Sequence, residues 1–173
     1  MRARRSQLRT GCLDRRSSVY IVDERALGAA ALLAALDEAG RSFREFGYRL
    51  FLMHQSVHWA SVGRVGHAVA PCASVGVGFL IDNADREVSL GVDVWVRGHE
   101  FEVTGDVTVD DPLPGPSGGG NQRFLRDLPA VVTRDLDECI AALTRYTAEL
   151  CAYTSVLDDL QVPRTEDSTG RSR

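Results

Sequence analysis

The sequence predicts an α+β fold: a curved antiparallel β-meander of about five strands, a short N-terminal helix and a long C-terminal helix packed on one face. Three observations predict it. The first is the stretch Glu87 to Asp111, where Val88, Leu90, Val92, Val94 and Val96, then Phe101, Val103, Val107 and Val109, alternate with polar residues on either side of Arg97-Gly98. Side chains alternate along a strand, so this is a hairpin with one apolar and one wet face. The second is an Ala- and Leu-rich run behind Asp23, and the third a heptad stripe near the C-terminus. Both are helices able to cover the apolar face.

The elements follow in order. Residues 1–17 are Arg-rich without apolar periodicity and read as a disordered basic arm, or as translation from an upstream start codon. The single domain spans 18–160. Val19 to Val22 is a short strand candidate. Asp23 then caps a helix that runs to about Ala39, with Leu27, Ala30, Ala31, Ala34 and Leu36 apolar and Gly40 as its stop. From Tyr48 the pattern reads as strand, with Leu50, Leu52 and His54 alternating with Phe51 and Met53, and Gln55 to Val62 extends it or forms a second strand. His67 to Ala70 is a further short strand that Pro71 ends. Ser74 to Ile81 is a strand with Val75, Val77, Phe79 and Ile81 on one face and Gly76 and Gly78 on the other, a sign of curvature or close approach. Asp82 to Arg86 is a turn before the hairpin.

Residues 110–121 carry three Pro and four Gly and read as a flexible loop. Phe124 to Val132 adds a short edge strand. The final helix, Thr133 to about Leu160, places Leu136, Leu143, Leu150 and Leu157 seven apart, and Cys139, Tyr146, Tyr153 and Leu160 likewise. Its 28 residues would span about 42 Å, whereas a five-strand sheet is about 20–25 Å wide. The stripe either covers its own sheet along a diagonal, the ordinary use of an amphipathic helix, or overhangs it and offers a surface for homodimer formation. Residues 161–173 read as a disordered tail.

Composition narrows the function classes. All 20 basic residues are Arg and none is Lys, the codon bias of a high-GC bacterium. The net charge of −4 conceals a body, residues 17–160, with 11 Arg against 21 acids. A body at −10 repels phosphate backbones, which disfavours nucleic acid as a partner except through the basic N-terminal arm. Cys12, Cys72, Cys139 and Cys151 form no CxxC and read as reduced thiols of a cytoplasmic protein. No run spans a membrane. Arg15-Arg16 does not open an export signal, because Asp23, Glu24 and Arg25 interrupt the apolar region.

No catalytic, cofactor or metal signature emerges. His54 and His58 in HQSVH lack the Glu of a zinc-peptidase motif, and HAVAPC from His67 lacks the Glu and second Cys of a deaminase motif. His54, His58, His67 and Cys72 lack metal-ligand spacing, and a metal site from them requires that the sheet gather them. Trp95 falls on the wet face of the hairpin between Asp93 and Arg97, and an outward Trp marks an interaction surface. With Tyr146, Tyr153 and Leu157 of the helical stripe, these residues form the candidate interaction surface.

Two functions compete. The first is a non-enzymatic cytoplasmic protein–protein interaction module, an accessory or immunity-type subunit that binds a partner protein and pairs with itself through the C-terminal helix. The second follows from the order strand–helix–strands–long helix, which is similar to that of helix-grip lipid- and polyketide-binding proteins. That resemblance implies a small-molecule-binding or cyclase-type domain, with a cavity between Leu143, Tyr146, Leu150 or Tyr153 and Val77, Phe79, Val92 or Val94.

Overall fold

A computed structural model describes residues 24–66, 71–81, 86–112 and 120–165. The expected basic arm, the strand candidate at 19–22, the cap at Asp23, the strand at 67–70, the turn at 82–85, most of the Gly/Pro loop and most of the tail lie outside the described residues. The elements are α1 (Glu24–Met53), β1 (Val57–Gly66), β2 (Cys72–Ile81), β3 (Arg86–Arg97), β4 (Glu100–Pro112), β5 (Gly120–Thr133), α2 (Leu136–Cys151) and α3 (Val156–Asp159). The five strands form one antiparallel sheet in the order β1-β2-β3-β4-β5, the expected meander. The hairpin turns at Gly98, whose φ of +65° suits glycine, and pairs Arg97 with Glu100 and Val94 with Val103.

The helices lie side by side on one face, α1 over β1 and β2, α2 over β3, β4 and β5. They run in the same direction: Gly28 lies against Leu136 near one end, and Arg49 and Cys151 line a common groove near the other. Between helices and sheet, Phe43, Phe46 and Leu50 of α1 and Leu143, Tyr146 and Leu150 of α2 join Val77, Phe79, Leu90, Val92, Val103 and Val107 in one buried cluster.

The α+β class and the meander are as expected, but the helix lengths are reversed. α1 has 30 residues and α2 only 16. Gly40 does not stop α1. Its missing Cβ lets the helix approach the sheet, where an added carbon would sit 3.4 Å from Val75 Cγ2. Gly47 is tighter still, 2.8 Å from Val77 and 2.9 Å from Trp59. Each glycine costs about 1 kcal/mol of helix propensity, which the burial of Ala39, Phe43, Phe46 and Leu50 exceeds. Those four recur at helical spacing, and the apparent alternation from Tyr48 to His54 is the tail of that stripe rather than a strand.

α2 starts at Leu136, not Thr133. Asp135 caps it, accepting hydrogen bonds from the Asp137 and Glu138 amides at 2.8 and 3.0 Å. It ends at Cys151, where the Tyr153 amide turns back to the Leu150 carbonyl and the chain leaves the helical path. Leu157 and Leu160 reach the core from α3 and the turn after it, so the last heptad of the stripe belongs to another element. At 1.5 Å per residue α2 spans only about 24 Å, and the predicted overhang disappears. The predicted short edge strand is instead the 14-residue β5, which starts inside the expected loop.

The segment after α3 is fastened to the end of α1. The Thr165 amide donates to the Met53 carbonyl at 2.8 Å, and the Gln55 amide donates to Thr165 Oγ1 at 3.0 Å. His54, fully buried, places Nδ1 at 3.2 Å from the Pro163 carbonyl and Nε2 at 3.7 Å from Asp158 Oδ1, while Arg164 holds Asp158 from outside. The buried imidazole thus meets the C-terminal segment through Nδ1, while Nε2 makes no hydrogen bond among the described residues.

Candidate interaction face

The helices occupy one side of the sheet. The other side carries the residues between the core positions: Ser74, Gly76, Gly78 and Leu80 of β2, Glu87, Ser89, Gly91, Asp93 and Trp95 of β3, Glu102, Thr104 and Asp106 of β4. None of the described helices covers it. The register sets these residues in rows. Val62, Gly76, Gly91 and Asp106 are successive cross-strand partners, and Asp127 of β5 continues the row. In the next row Ser74, Asp93 and Thr104 are partners, and beyond it Cys72, Trp95 and Glu102.

Two glycines side by side leave a dip. A Cβ on Gly76 would stand 2.2 Å from the Leu90 carbonyl oxygen, so the neighbouring backbones approach closely there. The dip is the floor of a shallow trough of about 240 Å³, rimmed by Arg64, Ser89, Asp93 and Asp106. At the trough's end Arg97 lies over the Trp95 ring, 5.7 Å from its centroid, and its Nε meets Glu102 Oε2 at 2.6 Å. This fixes the indole on the face by a cation–π contact and leaves it half-buried.

The trough is electrostatically negative. Burial, then the charges of Asp93 and Asp127, push the Asp106 carboxyl up from 3.8 to about 6. Its folded pKa exceeds its unfolded value, so the folded chain binds the extra proton between about pH 4 and 6. The stability this supplies is complete below about 4 and lost as pH rises through 6. Asp106→Asn should therefore be more stable than the parent at about pH 7.5, by roughly 1–2 kcal/mol once solvent screening is discounted. The gap should close by about pH 3.5. Urea titrations at the two pH values check this, and an equal gap at both would contradict it.

The structure divides the sequence-predicted interaction residues. Asp93, Trp95 and Arg97 sit together on the open face. Tyr146 and Leu157 are core residues, 4% and 0% exposed, and Tyr146 donates its hydroxyl to the Pro129 carbonyl. Tyr153 is half-buried beyond the end of α2, under the Arg126 guanidinium at 4.5 Å, and donates to Asp159 Oδ2 at 2.7 Å. The suggested metal ligands are not brought together. His54 is enclosed beside Pro163, and His58 pairs with Leu80 at the opposite end of the β1–β2 ladder from Cys72. His67 lies outside the described residues. Among the described residues no group of three or more His, Cys, Asp or Glu is placed to hold a metal ion, and no helix is long and apolar enough to cross a membrane.

Sequence reasoning missed Asp106 as the perturbed carboxyl. Its distinction depends on β2, β3 and β4 registering two glycines and two acids next to each other. A groove of about 580 Å³ between α1 and α2, with Ala39 and Ser42 facing Thr144 and Ala148, was also hidden, because the sequence reading ended α1 at Ala39. Compared with known protein families, curated proteins and solved structures, the chain matches none.

Proposed function

We propose that the protein is a non-enzymatic protein–protein interaction module, an accessory or immunity-type subunit in the cytoplasm of a high-GC bacterium, and that its open sheet face receives a basic segment of a partner protein. The observation that supports this is the face that no described helix covers: a fixed half-buried indole beside a glycine-floored trough whose carboxylates Asp93 and Asp106 repel one another. An incoming guanidinium or ammonium relieves that repulsion and finds a π surface at Trp95. Carboxylates and an aromatic anchor, without a paired nucleophile and base, serve recognition rather than bond-making.

The helix-grip alternative requires a cavity where Val77, Phe79, Val92 and Val94 meet Leu143, Tyr146 and Leu150. Those seven side chains are all buried in one core cluster, with Tyr153 packed at its margin, and a small-molecule reading would use the groove of about 580 Å³ between α1 and α2. Capture from native lysate on immobilised protein, together with titration of an Arg-rich peptide, tests the interaction reading. Trp95→Ala should weaken peptide binding roughly tenfold, as expected of an interface aromatic, and lose the captured species while the melting temperature is kept. Identical capture and affinity with Trp95→Ala and Asp93→Asn would sink the proposal.

A further inference from the structure

The two edges of the sheet are built differently. β5 is protected by Arg123, Arg126 and Asp127, by Pro129, and by irregularities in its pairing with β4 at Val103/Gly105 and Val107/Thr108. Of these devices β1 has only a single Arg, Arg64. Its ten residues pair with β2 in unbroken register from Val57 to Gly66, contain one Arg and no Pro, and are exposed from Ala60 to Val65. No described strand pairs with its outer side. A long, regular, mostly apolar edge invites another strand.

We propose that β1 pairs antiparallel with β1 of a second copy about a two-fold axis through Gly63, joining two sheets into one of ten strands. The exposed stretch is centred on Gly63: Val62 would oppose Arg64 of the second copy, and Ser61 would oppose Val65. Gly63 itself is open, its nearest obstacle to an added Cβ being a backbone oxygen 3.9 Å away.

Helix α1 carries an independent mark of the same axis. Along its side facing the β1 edge run Leu33, Asp37, Gly40 and Arg44, which share a groove with Ser61 to Val65, and Tyr48 continues the row one turn on. Under a two-fold beside Gly40, midway between residues 40 and 41, this row is self-complementary. Leu33 opposes Tyr48 of the second copy, Asp37 opposes Arg44, and the two Gly40 residues flank the axis. The two centres lie at one level of the fold, because Gly40 packs on Val75, and Val75 is the cross-strand partner of Gly63.

The spacing also agrees. Gly47 fits between Trp59 of β1 and Val77 of β2, so α1 lies over the line between these two strands. Across a β1–β1 seam, two such helices are two strand spacings apart, or about 9.6 Å. Packed helices stand about 8–10 Å apart. The pairing therefore brings the two α1 helices into contact without moving either. It also covers large side chains that the single chain leaves out, Leu33 at 63% exposed, Val65 at 67% and Tyr48 at 53%. A two-fold interface of this kind closes on itself and leaves the two β5 edges outermost, the ones already protected.

Light scattering on the full chain at about 50 µM should give twice 18.9 kDa. Arg44→Glu sets Glu against Asp37 at two places per dimer and should raise the dimer Kd roughly tenfold. The double variant Asp37→Arg with Arg44→Glu restores opposite charges and should recover most of the affinity. Val65→Lys, at a site too exposed to affect the core, should also weaken pairing. A monomer at that concentration would overturn the proposal, and so would a dimer indifferent to Arg44→Glu and Val65→Lys, which would be built on another surface. The peptide binding at Trp95 is read separately and stands or falls independently of the mass.

Discussion

Phe46→Ala is expected to destabilise the protein by about 3–5 kcal/mol and to lower its melting temperature by roughly 10 °C. Phe46 is fully buried in α1, one turn from Phe43 and Leu50, which are equally enclosed. Removing the ring forfeits its transfer free energy and leaves a hole that the helix cannot close. Gly47, the next residue, already rests against Val77 and Trp59 with no slack, so α1 cannot settle deeper onto the sheet. A domain of this size is stable by about 5–15 kcal/mol, which makes one ring a large share of the whole. Chemical denaturation with circular dichroism measures the loss. A change below about 1 kcal/mol, the range of exposed positions, would mean that α1 is not the main cover of β1 and β2. Leu33→Ala, on the same helix but 63% exposed, serves as the control and should leave monomer stability unchanged.

The contrast between these two leucine- and phenylalanine-rich halves of α1 explains what the sequence could and could not reveal. Period-two alternation from Glu87 to Asp111 was legible because one face is buried and the other is not, and burial along β3 alternates in the same way from Glu87 to Val94. α1 was not legible as one helix. Its first half is Ala-rich and its second aromatic, and Gly40 and Gly47 interrupt the second. Those glycines look like breakers in one dimension and prove to be contact points with β1 and β2 in three. The C-terminal stripe misled for the opposite reason. Leu157 and Leu160 fall in heptad register with α2, but they reach the core from α3 and the turn after it, once the chain has turned at Tyr153. A periodic pattern records that residues are buried, not that one element buries them. The open face was half legible: alternation placed Asp93, Trp95 and Arg97 outward. The row of Val62, Gly76, Gly91 and Asp106 depends on the register of four strands, which no single strand's sequence encodes.

That row is also where the fold is least tolerant. Gly76→Ala should cost about 3 kcal/mol, near the upper end for added methyl groups. The new Cβ would meet the Leu90 carbonyl oxygen at 2.2 Å and Gly91 Cα at 2.8 Å. Both are backbone atoms inside the β2–β3 ladder, so relief requires the strands to part rather than a side chain to turn. Gly78, two residues on and facing the same way, is the matched comparison. There an alanine meets first a Glu87 carboxylate oxygen at 3.4 Å, the end of a flexible exposed side chain, and Gly78→Ala should be tolerated or slightly stabilising through reduced unfolded-chain entropy. The pair separates two accounts of the trough. If its depth comes from the close approach of β2 and β3 at Gly76 and Gly91, Gly76→Ala loses stability and peptide binding together, whereas Gly78→Ala loses neither. Equal effects of the two substitutions would assign the glycines a general role in strand flexibility. The floor between Asp93 and Asp106 would then not depend on that contact, and the physical basis for a recessed carboxylate pair would be gone.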